Sequence, residues 1–242
     1  MNRLPKIGYK WEVSHKFNVF LKQTSGMLNV ASFVFNPFQE NTYLLHDETL
    51  DCVVVDPGCY EKEEEQELAE HVEKAQLNVV MILNTHCHID HVLGNAFVKD
   101  RFNVPLYIHS IEEPYLRAVS SYAPNYGFFQ YRESTPDGFL SEHEEIRFGN
   151  QKLKILFTPG HSPGHVVFYH AQSRKLIGGD VLFYNSIGRT DLPGGNGSTL
   201  IESIHNKLFT LPDDVTVYPG HGQETTIGFE KRTNPFCGLT VR

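Results

Sequence analysis

Six of the chain's 13 histidines fall in three short segments, each following an expected strand. The first is Thr85-His86-Cys87-His88-Ile89-Asp90-His91. In extended backbone, side chains repeat every two residues, so His86 and His88 share a side and Cys87 faces away. Asp90 and His91 sit where a helix is expected to begin and point a second pair of donors elsewhere. Three imidazoles and a carboxylate this close together form a dense set of borderline donors, the kind zinc or iron takes. The second segment is Thr158-Pro159-Gly160-His161-Ser162-Pro163-Gly164-His165, and the third is Tyr218-Pro219-Gly220-His221-Gly222. In both, a histidine leaves a glycine-rich turn, where a missing side chain lets backbone approach an ion closely. Between them Gly178-Gly179-Asp180 sets a carboxylate at the end of a strand.

Counting donors indicates how many ions they hold. A catalytic zinc takes about three protein ligands and keeps one position open. His86, His88 and His161 make one such set, and Asp90, His91 and His221 make another. Asp180 has two oxygens and can bridge them. Seven donors exceed what one catalytic ion needs and suit a pair of ions roughly 3.5–4 Å apart, which together make hydroxide available at neutral pH. The expected chemistry is hydrolysis at two divalent cations, zinc first, with iron or manganese as alternatives. His165 is expected to support its loop.

These segments need strands that end beside one another. Leu28 to Phe35, Asn41 to Leu45 and Cys52 to Val55 read as strands, the last closed by the turn signal Asp56-Pro57-Gly58. The spacing of Leu68, Ala69, Val72 and Ala75 predicts a helix over 61–76 with an acidic first turn. Residues 78–83 and 105–108 read as strands, with helices through Val92, Ala96 and Phe97 and over 111–119. Residues 121–143 read as a loop, whose aromatics between Tyr122 and Tyr131 are either ordinary packing or a wall of a substrate pocket. Further strands are expected at 144–148, 152–157, 165–170, 175–179 and 215–218, with a helix over 198–209 capped by Ser198. Strands alternating with helices give an α/β class. Residues 27–242 form one domain. Residues 1–26 lack periodicity and are either a native extension or the result of a start codon assigned upstream of Met27.

Composition removes several classes. With 21 Lys+Arg against 29 Asp+Glu, the net charge of −8 opposes a nucleic-acid partner. No apolar run approaches the roughly 18 residues of a membrane span, and the first ten residues lack a signal-peptide layout. Four scattered cysteines without a Cys-x-x-Cys read as buried, reduced thiols, so the cytoplasm is the expected compartment. The oligomeric state is not readable.

The order His86-Cys87-His88-Ile89-Asp90-His91, His161, Asp180, His221 resembles the metallo-β-lactamase superfamily, from about Met27 to the C-terminus. The resemblance implies a four-layer αβ/βα sandwich with the metals at the loop-bearing edge of two mixed sheets. It also implies that Asp56 supports the ligand loops from behind. The pattern differs from that of the main zinc class of true β-lactamases. The stretch Ser186 to Gly195, and His221 to Gly228 followed by Asn234-Pro235-Phe236, look like short-form glyoxalase II, a hydroxyacylglutathione hydrolase. Arg189 falls where longer glyoxalase II enzymes hold a glutathione carboxylate with a lysine, which implies a substrate-binding role.

Two departures leave the thiol undetermined: Asp191 stands where those enzymes carry a thiol-contacting tyrosine, and only 21 residues follow His221. The implied reaction is hydrolysis of a hydroxyacyl thioester such as S-lactoylglutathione. A hydroxide bridging the two ions and oriented by the catalytic Asp90 would attack the carbonyl. The alternative is a mononuclear-iron persulfide dioxygenase of the same superfamily. His165 and the Pro219-Gly220-His221-Gly222 context stand closer to the hydrolases. A non-catalytic module would be expected to have lost ligands, and all seven are present.

Overall fold

The computed structural model describes residues 26–239. The first sheet is built from β1 (Asn29–Phe35), β2 (Glu40–His46), β3 (Asp51–Val55), β4 (Asn78–Leu83), β5 (Leu106–His109) and β6 (Gly138–Leu140) in that spatial order. Its first three strands pair antiparallel and the last four parallel. The parallel crossovers carry α1 (Lys62–Lys74), α2 (Asn95–Phe102) and α3 (Glu113–Tyr122). The second sheet takes β7 (Glu145–Phe148), β8 (Gln151–Phe157), β9 (Val166–His170), β10 (Lys175–Gly179), β13 (Thr216–Pro219) and β14 (Thr225–Thr226). A small hairpin, β11 (Leu182–Phe183) with β12 (Ser186–Ile187), follows β10. The helices α4 (Gly197–Ser203) and α5 (Ile227–Thr233) complete the chain order.

Period-two alternation builds the layers. On β2 and β3, Leu44, Cys52 and Val54 pack with Leu68 and Val72 of α1, while Tyr43, Leu45, Val53 and Val55 turn the other way to meet Leu153, Ile155 and Phe168. On β9, Val166 and Phe168 face the first sheet, while Val167 and Tyr169 pack with Leu200 and Ile204. Three apolar layers therefore separate helices, sheet, sheet and helices, the expected four-layer αβ/βα sandwich. Strands covered on both faces are apolar throughout, which is why β3 and β9 read as unbroken apolar runs.

The differences from the sequence reading are local. α4 begins at Gly197, and its cap is Asn196: the Asn196 carboxamide oxygen accepts the Thr199 N–H at 3.0 Å, and the Ser198 hydroxyl donates to that same oxygen. The expected 198–209 helix passes into a π turn at Ile204–Leu208. His91 closes a 3₁₀ turn, Ile89–His91, and α2 starts only at Asn95. Within the expected loop 121–143 lies β6, a three-residue edge strand whose partner β5 is distant in sequence and so sends no local signal. The four cysteines are free and buried. No helix among the described residues is long and apolar enough to cross a membrane. The extension expected over 1–26 lies, except for Gly26, outside the described residues.

α1 adheres to the first sheet through Leu68, which is fully buried. Leu68→Ala is expected to cost about 2–5 kcal/mol of stability in urea unfolding. A loss under about 1 kcal/mol would contradict this packing.

Candidate metal centre

Five segments end side by side at one rim of the sandwich: Asp56 after β3, His86–His91 after β4, His161 after β8, Asp180 after β10 and His221 after β13. In α/β sheets ligands bind outside the carboxyl ends of the strands. Two glycines allow the approach. A Cβ on Gly179, held at φ +46°, would lie 2.5 Å from the Thr85 hydroxyl, and one on Gly220 would lie 2.1 Å from Asp180 Oδ1. The second sheet is tied to the first at this point: Asn41 Nδ2 donates to the carbonyls of Pro219 and Gly222, and the Tyr43 hydroxyl donates to Pro219 O.

All seven expected donors converge. His86, His88 and His161 offer nitrogens within 4.8 Å of one another, and so do the donor atoms of Asp90, His91 and His221. Between these sets lies Asp180. Its Oδ1 is 3.5 Å from His91 Nε2, and its Oδ2 is 3.5 Å from both His161 Nε2 and His221 Nε2. His88 Nδ1 and His86 Nε2 approach His161 Nε2 at 2.8 and 3.2 Å.

The far side of each ring decides which nitrogen faces inward. The Thr85 hydroxyl donates to Asp56 Oδ2 at 2.6 Å, so its oxygen accepts from His86 Nδ1. His91 Nδ1 donates to Asp56 Oδ2 at 3.2 Å, His161 Nδ1 to the Arg189 carbonyl at 2.7 Å, and His221 Nδ1 to the Phe38 carbonyl at 3.1 Å. Four imidazoles thus present Nε2 to the centre, each held by a partner behind it, the arrangement metal-ligating histidines adopt. Asp56 stands behind two of them and accepts the Thr85 N–H as well. Its carboxyl also lies close to His86 and His91 in a third potential donor set. The Thr85 bonds occupy both of its oxygens, so it acts as a support. His165 stacks on His86 at 4.8 Å and accepts the Asp180 N–H through Nε2, supporting the centre without entering it.

The electrostatics fit cations. Burial, reinforced by neighbouring imidazoles, drives His86 well below the ordinary range, and burial lowers His88 to about 3. Both are neutral at physiological pH, the form that ligates. Burial would raise Asp180 and Asp90, but His91 and the other imidazoles draw both below the usual carboxylate range. Burial would lower His91, yet Asp180 and Asp90 more than offset it, so the field there favours positive charge. His91 Nε2 and Asp180 Oδ1 are buried without a hydrogen-bond partner. Unpaired buried polar atoms are costly, and two divalent cations would satisfy these. The donor set fits them.

Three supports escaped the sequence reading. Glu112 is fully buried and accepts from the Cys87 N–H at 2.9 Å, the Ser162 hydroxyl at 2.5 Å and the Gly164 N–H at 2.7 Å, clamping the first two histidine segments together. Glu40, fully buried, lies 3.9 Å from His91 Nδ1. Asn36 donates to the Asp90 and Gly58 carbonyls. Each lies outside the histidine segments, and a buried carboxylate has no local sequence signature. Arg189 lines the adjoining cavity, but its guanidinium is forked onto Asp191, with Nε–Oδ1 and Nη2–Oδ2 both 2.7 Å. Tyr122 and Tyr126 line the same cavity, Phe128 packs in the core and Phe129 is exposed.

Glu112→Ala strands two backbone donors and a hydroxyl. It is expected to weaken metal binding roughly 10–100-fold in chelator competition, because outer supports typically carry that much. Unchanged affinity would remove Glu112 from the account.

Residues 35–221 match the metallo-beta-lactamase superfamily. The chain is 36% identical over 211 residues to the hydroxyacylglutathione hydrolase GloC of Haemophilus influenzae, covering 86% of this chain and 98% of that one. Among solved structures, the BLEG-1 B3 metallo-beta-lactamase superposes with a TM-score of 0.78 at 36% identity, covering 86% of this chain and 99% of its own. TTHA1623 in a di-iron-bound form gives 0.77 at 36% identity, with 86% and 100% covered. The chain belongs to the metallo-beta-lactamase superfamily.

Proposed function

We propose that this protein is a binuclear metal-dependent hydrolase that cleaves hydroxyacyl thioesters of the S-lactoylglutathione kind. The observation that carries the reading is the position of Asp180 between the two donor sets: its Oδ2 lies 3.5 Å from both His161 and His221 Nε2, and its Oδ1 lies 3.5 Å from His91 Nε2. One set is His86, His88 and His161; the other is Asp90, His91 and His221. The likeness to the hydroxyacylglutathione hydrolase of H. influenzae supports the thioester, and a di-iron neighbour supports two ions. Zinc suits the imidazole-rich donors first, with iron or manganese as alternatives.

Bound there, two divalent cations supply a Lewis acid for the thioester carbonyl and hydroxide at neutral pH. The chain's own residues do the rest. Asp90 Oδ2 lies 3.1 Å from His221 Nε2 in the second donor set, and its carboxylate, kept ionised by His91 and His221, is placed to orient water and accept its proton. Water adds its oxygen to the carbonyl carbon, the C–S bond breaks, and the sulfur leaves with the electron pair and takes up a proton. The products are a carboxylic acid and a thiol. No Ser or Cys nucleophile is needed, and Cys87 is fully buried in the apolar core.

Protein reconstituted with zinc, iron or manganese is expected to turn over S-lactoylglutathione with two ions per chain. Asp180→Ala should lose at least one ion and lower kcat by 100-fold or more. One iron per chain, with dioxygen consumed on a persulfide and no thioester cleaved, would establish the dioxygenase instead. A β-lactam cleaved in preference to every thioester would also overturn the proposal.

A further inference from the structure

We propose that the cavity over the donor cluster selects thioesters whose acyl and thiol groups are uncharged and apolar, and that the Arg189–Asp191 ion pair disfavours anionic thiol carriers. This rests on the thioester reading above and narrows it: S-lactoylglutathione is a substrate, but not the best one.

The cavity is about 1220 Å³, far larger than a lactoyl group needs. Away from the metal donors its walls include Phe38, Ile111, Tyr122, Tyr126, Ile187 and Leu192. Three of these, Phe38, Ile111 and Tyr126, remain substantially exposed at 40%, 44% and 55%. Phe38 and Tyr126 meet edge-on with ring centroids 5.9 Å apart, forming an aromatic margin. Exposed apolar surface of this kind marks a binding site.

Charge recognition is nearly absent from the walls. Among the described residues lining the cavity, Arg189 is the one lysine or arginine. Asp191 takes the side-on Nε/Nη2 edge of its guanidinium, so the pair is neutral overall and the edge best shaped for a carboxylate is occupied. The other ionised side chains of the lining, Asp90 and Asp180, belong to the metal centre and offer a thiol carrier no cationic grip. Glutathione carries two carboxylates and one ammonium. A glutathione carboxylate bound side-on would have to displace Asp191 from Arg189, and one bound through Nη1 would meet a cation already neutralised by Asp191. An uncharged thiol pays no such cost, and each methylene buried in the cavity is worth roughly fourfold in affinity.

Thioethers test the cavity without turnover and without a free thiol that would chelate the metals. On metal-reconstituted protein, calorimetry is expected to find S-hexyl-N-acetylcysteamine bound at least tenfold more tightly than S-hexylglutathione. It should also bind more than tenfold more tightly than its S-ethyl homologue. Asp191→Ala frees the guanidinium and should shift the ratio toward S-hexylglutathione by roughly three- to tenfold. Adding Arg189→Ala should cancel that shift. S-Hexylglutathione bound as tightly as the neutral thioether, or a ratio unmoved by Asp191→Ala, would overturn the inference. Hydrolysis of the corresponding hexanoyl thioesters separates the two claims. The expected ranking with no thioester cleaved sinks the hydrolase reading alone, whereas cleavage with the ranking reversed sinks the selectivity.

Discussion

Asp180 is the residue on which the rest of the site depends. Its carboxylate is buried, one oxygen has no hydrogen-bond partner, and imidazole nitrogens from three different segments lie 3.5 Å away. Such a group is costly to bury unless positive charge arrives beside it. The surroundings are arranged to hold it there nonetheless. Gly179 adopts a positive φ to turn the chain, Gly220 leaves room for the Asp180 oxygen, and His165 accepts the Asp180 N–H. The sandwich bears the cost: three apolar layers fix the strand ends, and the strand ends fix the loops.

From that constraint the division of labour follows. Four of the five inward-facing rings have a partner behind them, and three of these partners come from far along the chain: Asp56 for His91, the Arg189 carbonyl for His161, the Phe38 carbonyl for His221. The donors are therefore preorganised, which reduces the reorganisation needed when cations bind. Glu112, a carboxylate with little reason to be buried, is buried where it holds this frame. The proposed selectivity is assigned to side chains, those of the apolar cavity wall and the Arg189–Asp191 pair. The two are joined through the backbone, because the carbonyls of Arg189 and Phe38 hold His161 and His221 while their side chains line the cavity.

Much of this was legible in the sequence because the informative residues are close together in it. His86, His88, Asp90 and His91 announce themselves by spacing, and strands covered on both faces announce themselves as apolar runs. What was not legible depends on distance along the chain. Glu112 meets Ser162 fifty positions away, and no local pattern marks the meeting. β6 exists because β5 offers it an edge, so a reading of the segment alone gives a loop. Asn196 rather than Ser198 caps α4, since both are good capping types and only backbone geometry separates them. For Arg189 the position was readable, but the fork to Asp191 two residues on was not, and that contact changes what the guanidinium can bind.

The central claim is that Asp180 is shared between two cations. Anomalous diffraction from crystals of the metal-reconstituted protein, recorded at the absorption edge of the bound metal, tests it directly. The account predicts two peaks, one against His86, His88 and His161 and one against Asp90, His91 and His221, with an Asp180 oxygen in contact with each. A single peak on the three histidines, with Asp90, His91 and His221 making no metal contact, would contradict it.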